Sequence, residues 1–347
     1  MPNNTRVLML ANRTKRLLFL TLKLAFAVGL IWVLVHSATL NMRLLVDLFK
    51  QPFAFGVVLL LLLTMVITGA WRWYVLNCAQ NITFCFSRTV FVTYLCTALN
   101  YVTPGAVGGD FVRAFYVLKH ASNKKSAVLL TAFLDRLIGL WTVFFLMSAA
   151  CLVRFSIVAH QSQLKYLFVT SSIASLGLLV VFFSMLWVFS YVATSVAWVK
   201  RLSQFVWLRP LFSFARQINL FKLDKKIIAQ CVLLSVTSQI LVTTTIMLIS
   251  SMMGFPLATF FDFMIAACVT QIVNLIPLTP GGIGIGEMAF SHVLSWLNPS
   301  LQAPYATVFF AYRLLGVLTY LPGAIYYSVT HRTAVRILPA AGELLVE

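Results

Sequence analysis

Two acids and two arginines recur at one spacing in this chain. Asp110 ends the stretch PGAVGGD (residues 104–110) and Glu287 ends PGGIGIGE (280–287), and Arg136 and Arg313 each follow their acid by 26 positions. Carboxylates and guanidinium groups so placed can lock to each other as internal salt bridges. They can also part to hold a zwitterion-compatible headgroup, with the arginines on a phosphate and the acids on a cationic group or a proton. Glycines let the backbone turn tightly and leave its N–H groups unobstructed. A half-helix that begins after such a turn offers unpaired N–H donors and the positive end of its dipole, which together favour an anion such as phosphate. The candidate binding residues are therefore Asn100, Thr103, Gly108, Gly109, Asp110, Arg113, Asp135, Arg136, Gln271, Asn274, Gly281, Gly282, Glu287 and Arg313. Arg113 stands three positions past Asp110, on the same helical face. Arg136 follows Asp135 directly, so those two point to different sides of their helix. Asn100, Thr103, Gln271, Asn274 and Thr279 flank the breaks, where capping a loosened helix end competes with touching a headgroup.

The elements that must position these groups are membrane helices. Of 347 residues, 61% are hydrophobic and 10% charged, with a mean hydropathy of +0.94, whereas a soluble domain is about a quarter charged. The chain is a polytopic membrane protein. Apolar runs long enough to cross ~30 Å of hydrocarbon fall at about 17–35, 53–70, 127–152, 166–190, 227–250 and 305–329. Two more apolar regions, about 89–118 and 257–297, are each broken by one of the glycine stretches. Unsatisfied backbone groups in lipid cost several kcal/mol each, so the spans are expected as helices. Continuous apolar runs without alternation argue against a β-barrel. The expected class is all-α: six full spans plus two broken, re-entrant segments of opposite orientation. Only eight residues are acidic, yet Asp110, Asp135 and Glu287 fall at membrane depth, where a charge costs at least ~2.5 to 3.5 kcal/mol and points to pairing or function.

The formal charge of +18 does not signify nucleic acid, because its placement follows the membrane. With a cytoplasmic N-terminus, and with both broken regions returning to the side they enter from, 20 basic residues face inside and four face outside. That imbalance is the positive-inside rule. The two broken regions then enter from opposite faces, and the repeat is inverted, with halves at about 89–152 and 257–329 inside a single transmembrane domain, 1–347. Inverted repeats with broken helices and a midplane site are a transporter architecture. Close helix packing through small residues is the competing account of the glycines. The linker at about 191–226 mixes Trp and Phe with basic residues from 198 onward, as an interfacial amphipathic segment on anionic lipid does. The first 35 residues carry no cleavage motif after their apolar run and are read as a retained span. The six cysteines show no metal spacing and are expected mostly as buried small hydrophobes. The Asn3, Asn12 and Asn81 sequons fall on the cytoplasmic side and are read as chance matches. No metal cluster, nucleophile–base pair or nucleotide motif is present in the sequence, so no cofactor and no catalysis are expected.

The stretches NYVTPGAVGGDFVRAF, DRLIGL, PLTPGGIGIGE and YRLLGVL resemble the transmembrane region of the lysylphosphatidylglycerol synthase family, flippase-like membrane proteins, over about residues 15–330. In two-part members that region is implicated in moving aminoacylated phosphatidylglycerol between leaflets, while a separate soluble domain makes it. The sequence to Glu347 holds no such domain, so aminoacyl transfer is not expected. The resemblance implies a lipid-like amphiphile as substrate. The leading expectation is a lipid translocator of a bacterial inner membrane with both termini cytoplasmic, its partners anionic or zwitterionic phospholipids. An intramembrane transferase using Asp110 or Glu287 as general base, and a carrier of a small polar solute, are the alternatives.

Overall fold

A computed structural model describes residues 44–82, 84–102, 109, 112–113, 116–118, 125–194, 225–256, 258–276, 278–279, 282–300 and 303–330. The expected first span at about 17–35, most of the interfacial linker (195–224) and the Asn3 and Asn12 sequons lie outside them. The described elements are helical: α1 Leu44–Asp47, α2 Pro52–Ala79, α3 Phe86–Val102, α4 Lys125–Val153, α5 Phe155–Val158, α6 Ser162–Thr194, α7 Lys225–Met252, α8 Phe260–Val273, α9 Ile285–Leu297 and α10 Tyr305–Thr330. Gly109, Val112, Arg113 and residues 116–118 are also helical.

Four of these helices are long and apolar enough to cross a membrane: Pro52–Ala79, Ala127–Val153, Ser162–Ser184 and Lys225–Met252. They cover the expected runs at 53–70, 127–152, 166–190 and 227–250. The 26-residue α10 covers the run at 305–329. Side chains such as Leu60, Ile173, Leu176, Val180 and Leu233 stand exposed on the outer faces, as lipid in place of water allows. Several hydroxyls within the apolar stretches are satisfied by their own helix: Thr142, Thr243, Thr245 and Thr270 each donate to the carbonyl four residues back, which removes the cost of an unmade bond in hydrocarbon.

Both broken regions fold back on themselves. Helices α8 and α9, of 14 and 13 residues, span only ~20 Å each at 1.5 Å per residue, short of a ~30 Å crossing. Their far ends meet, since Asn298 Nδ2 donates to Asp262 Oδ2 at 3.2 Å. Asp262 also accepts from Arg154 Nε just past α4, at 2.8 Å. It completes a capping box with Thr259 as well, accepting the Thr259 N–H while its own N–H goes to the Thr259 hydroxyl, so this wholly buried acid holds the mouth of the α8–α9 hairpin. The same end of the bundle carries the Gln51 contact to Met252 and the Tyr305 contact to Pro256. The chain after α3 turns back likewise. The Gly109 N–H donates to Asn100 Oδ1 at 2.8 Å, Phe84 and Tyr116 meet edge to face at 6.1 Å, and Val117 is buried with Trp73, Ile82 and Val128 at the opposite end of the bundle.

Two expectations change. Arg72 and Arg113, counted from sequence among the cytoplasmic loop charges, are drawn into the bundle by ion pairs to Asp135, which lowers the expected inside count from 20 to 18 against an expected four outside. Cysteines 96, 151, 231 and 268 are buried as expected, but Cys78 and Cys85 are exposed. Cys85 sits just before α3, where the Ser87 and Arg88 backbone N–H groups hold its thiol below the ordinary value of 9.0. A lowered pKa raises the thiolate fraction at neutral pH. In a Cys78→Ala protein, a membrane-impermeant maleimide is therefore expected to label Cys85 faster than an ordinary surface thiol at pH 7.5. Labelling of everted but not right-side-out vesicles assigns the Cys85 end to the cytoplasm.

Candidate functional site

The centre of the bundle is polar because one acid recruits helices from three directions. Asp135, on α4, is 2% exposed. Its Oδ1 accepts from Arg72 Nε of α2 and its Oδ2 from Arg113 Nη2 of the first fold-back, each at 2.6 Å. Arg72 Nη1 goes on to the Ser235 hydroxyl of α7 at 2.8 Å, and the Arg113 guanidinium lies over the Trp73 ring at 4.4 Å, a cation–π contact. Gly139, one turn beyond Asp135, leaves room for Arg72: a Cβ there would lie 3.3 Å from Arg72 Nη1. Two guanidiniums on one carboxylate leave the cluster cationic. A cavity of about 470 Å³ opens beside it, lined by Arg72, Arg113, Asp135, Arg136, Ser238 and four carboxamides, Asn100, Gln239, Gln271 and Asn274.

A second lobe of about 340 Å³ shares Asn100, Gln271 and Asn274 with the first and adds Thr97, Tyr101, Phe309, Tyr312 and Arg313. Gln239 of α7 and Gln271 of α8 form a reciprocal amide pair at 3.0 and 2.8 Å beside both lobes. Arg313 Nη1 lies 3.3 Å from Glu287 Oε1. By distance this is an ion pair, but by direction it is no hydrogen bond, because both atoms are buried and lack a hydrogen-bond partner. Glu287 Oε2 does bond, to the Gly284 N–H at 2.7 Å. That is half of a capping box at the start of α9, and glycine has no side chain to supply the other half.

The turn before α9 needs its glycines. Gly282 and Gly284 have φ of +76° and +88°, which favour glycine. At Gly286 an added Cβ would lie 2.6 Å from Asn274 Oδ1 and 2.7 Å from Arg313 Nη2, so Asn274 and Arg313 press on bare backbone. Gly109 is as tight: a Cβ there would run into the Cys96 carbonyl and lie 2.8 Å from Asn100 Oδ1. In each hairpin an asparagine thus leans on a glycine that immediately precedes the acid.

Of the residues expected from sequence, the structure gathers Asn100, Arg113, Asp135, Arg136, Gln271, Asn274 and Arg313 on the chamber walls. Gly109, Gly282 and Glu287 stand behind them. Thr103, Gly108, Asp110 and Gly281 lie outside the described residues. Arg113 pairs with Asp135. Arg136 and Asp135 do part, the acid turning to Arg72 and Arg113 while Arg136 stays exposed to the cavity. Arg72, Ser235, Gln239, Tyr101 and Tyr312 were missed. Their signal was polarity inside an apolar run: Trp-Arg-Trp at 71–73 and SVTSQ at 235–239.

A protein-family model described as the lysylphosphatidylglycerol synthase TM region matches residues 20–323. The chain belongs to this family. The matched residues include both hairpins and every described wall of the chamber, and membership ties the chain to membrane-lipid function. No curated protein and no solved structure matches it.

Removing one partner of a buried ion pair strands the other charges, at a cost of roughly 3–5 kcal/mol. Asp135→Asn leaves a buried guanidinium, Arg113, and a half-buried one, Arg72, facing an uncharged amide. A marked fall in the thermal unfolding midpoint in detergent is the expected outcome, with Asp135→Glu losing less.

Proposed function

We propose that the protein moves a phospholipid or lipid-linked headgroup across the bacterial inner membrane, with the headgroup in the two-lobed chamber and the acyl chains left in the bilayer. The observation that carries this reading is a polar, arginine-lined cavity in the middle of an otherwise apolar helix bundle. Charged groups at that depth are costly unless they pair or serve a function, and guanidinium forks suit phosphate as they suit carboxylate. The two hairpins are read as halves of an inverted repeat. Supporting this, Asn100 and Asn274, just before the two breaks, line the chamber, while the mouths, at Asp262–Asn298 and Phe84–Tyr116, sit at opposite ends of the bundle. Alternate opening of the two mouths then exposes the chamber to one leaflet at a time. Both termini are placed in the cytoplasm, which the 18-to-four distribution of basic residues supports. No chemistry on the lipid is assigned, and movement follows a gradient, proton coupling or downstream consumption.

The test is reconstitution in liposomes with fluorescent phospholipids and dithionite quenching of the outer leaflet. Wild type is expected to move at least one anionic or zwitterionic lipid. An Arg136→Ala, Arg313→Ala double variant is expected to be slower by about tenfold or more, since each charge-assisted phosphate contact contributes ~1.5–3 kcal/mol. Equal rates for the two proteins sink the role given to these arginines.

A further inference from the structure

We infer that the α9 end of the second lobe is a phosphate-binding site in which Glu287 is a built-in competitor, its carboxylate occupying the place an incoming phosphate takes. The translocator reading supplies the lipid as the source of that phosphate, but the site stands on its own geometry.

The surroundings of Glu287 are those of an anion site. Its carboxylate lies at the start of a 13-residue helix, where the dipole presents positive charge. The Gly284 N–H points at one oxygen at 2.7 Å, and Arg313 Nη1 stands 3.3 Å from the other. Yet the seat is poorly filled. A charge-assisted N–H···O bond runs ~2.7–2.9 Å, and here Glu287 Oε1 and Arg313 Nη1 are both buried with no hydrogen bond. A carboxylate tethered to the first turn of α9 reaches the backbone cap with Oε2 and leaves Oε1 off the guanidinium's hydrogen-bonding direction. A tetrahedral phosphate, untethered and with more oxygens, has no such conflict.

Two more unfilled groups sit around the same turn. Thr279, wholly buried, has a hydroxyl without a partner, and Asn274 has a buried amide oxygen without one. The hydroxyl can donate to phosphate, and the Asn274 carboxamide turned over presents its NH₂ instead. Asn274 and Arg313 already converge on the bare face of Gly286, at 2.6 and 2.7 Å from where a Cβ would stand. The 340 Å³ lobe beyond them has room for a headgroup.

A competitor held by the chain lowers affinity without changing which ligand fits. Phosphate arrival frees Arg313 from Glu287, and the return of Glu287 expels the phosphate. Glutamine at position 287 keeps an oxygen for the Gly284 N–H, as capping boxes allow, while removing the rival charge. The purified full chain is titrated calorimetrically with inorganic phosphate and, separately, with dihexanoyl phosphatidic acid. Glu287→Gln is expected to bind at least one probe about tenfold or more tightly than wild type, the worth of one charge-assisted contact. A gain confined to phosphatidic acid identifies a lipid phosphate, and a gain confined to inorganic phosphate a free one. Adding Arg313→Gln is expected to abolish the gain. Should Glu287→Gln not fold, Glu287→Asp, one methylene too short to reach Arg313 from the cap, is expected to gain affinity likewise. Equal or weaker binding of both probes by a folded position-287 variant overturns the inference, even if wild type moves lipid. Tighter binding with no lipid movement by wild type upholds the site and removes the translocator reading instead.

Discussion

Asp135 between Arg72 and Arg113 is the interaction around which the remaining structure is arranged, because none of the three charges is tolerable alone at membrane depth. Each partner arrives on a different element: α4 supplies the acid, α2 one guanidinium, the first hairpin the other, and α7 the Ser235 hydroxyl that completes Arg72. Satisfying the cluster therefore fixes where four pieces of chain meet.

The two hairpins solve one problem with the same parts. A helix that breaks in a membrane exposes backbone groups that lipid cannot satisfy. Here Asn100 takes the Gly109 N–H, and Glu287 takes the Gly284 N–H, so side chains satisfy backbone groups beside each break. Glycine is required where those side chains press on the backbone, at 109 and 286. At the far end of the second hairpin Asp262 does the reverse work, gathering Arg154, Asn298 and the Thr259 cap into a closed mouth. Its Thr-x-x-Asp pattern at 259–262 was readable as a helix start, but its ion pair spans 108 positions and was not.

Much of the architecture was legible because lipid imposes simple rules. Continuous apolar runs near 20 residues located the α2, α4, α6 and α7 spans, and the glycine interruptions located both fold-backs. The chamber was half legible. Charges inside apolar sequence stood out when flanked by a motif, as Asp135, Arg136, Glu287 and Arg313 are, and were misplaced when they lay near the end of a run, as Arg72 does. Partner choice was not legible at all. The bond from Arg113 to Asp135, 22 positions away, is a contact across elements, and such a contact depends on packing that local periodicity does not contain. Gln239 was overlooked for a related reason: an uncharged amide in a span draws little notice until its mate on another helix is seen.

That amide pair shapes the wall between the lobes. Gln239 and Gln271 are held by two neutral hydrogen bonds, and Asn100 and Asn274 beside them are carboxamides too. Carboxamides both donate and accept, so any polar group that reaches this waist can take over one bond for each it breaks. Parting the pair separates no charge, unlike parting an arginine from an acid, and the barrier there is set by side-chain rotation. Between the arginines that line the two lobes, these carboxamides offer a passing ion neither an opposite charge to detain it nor a like charge to repel it.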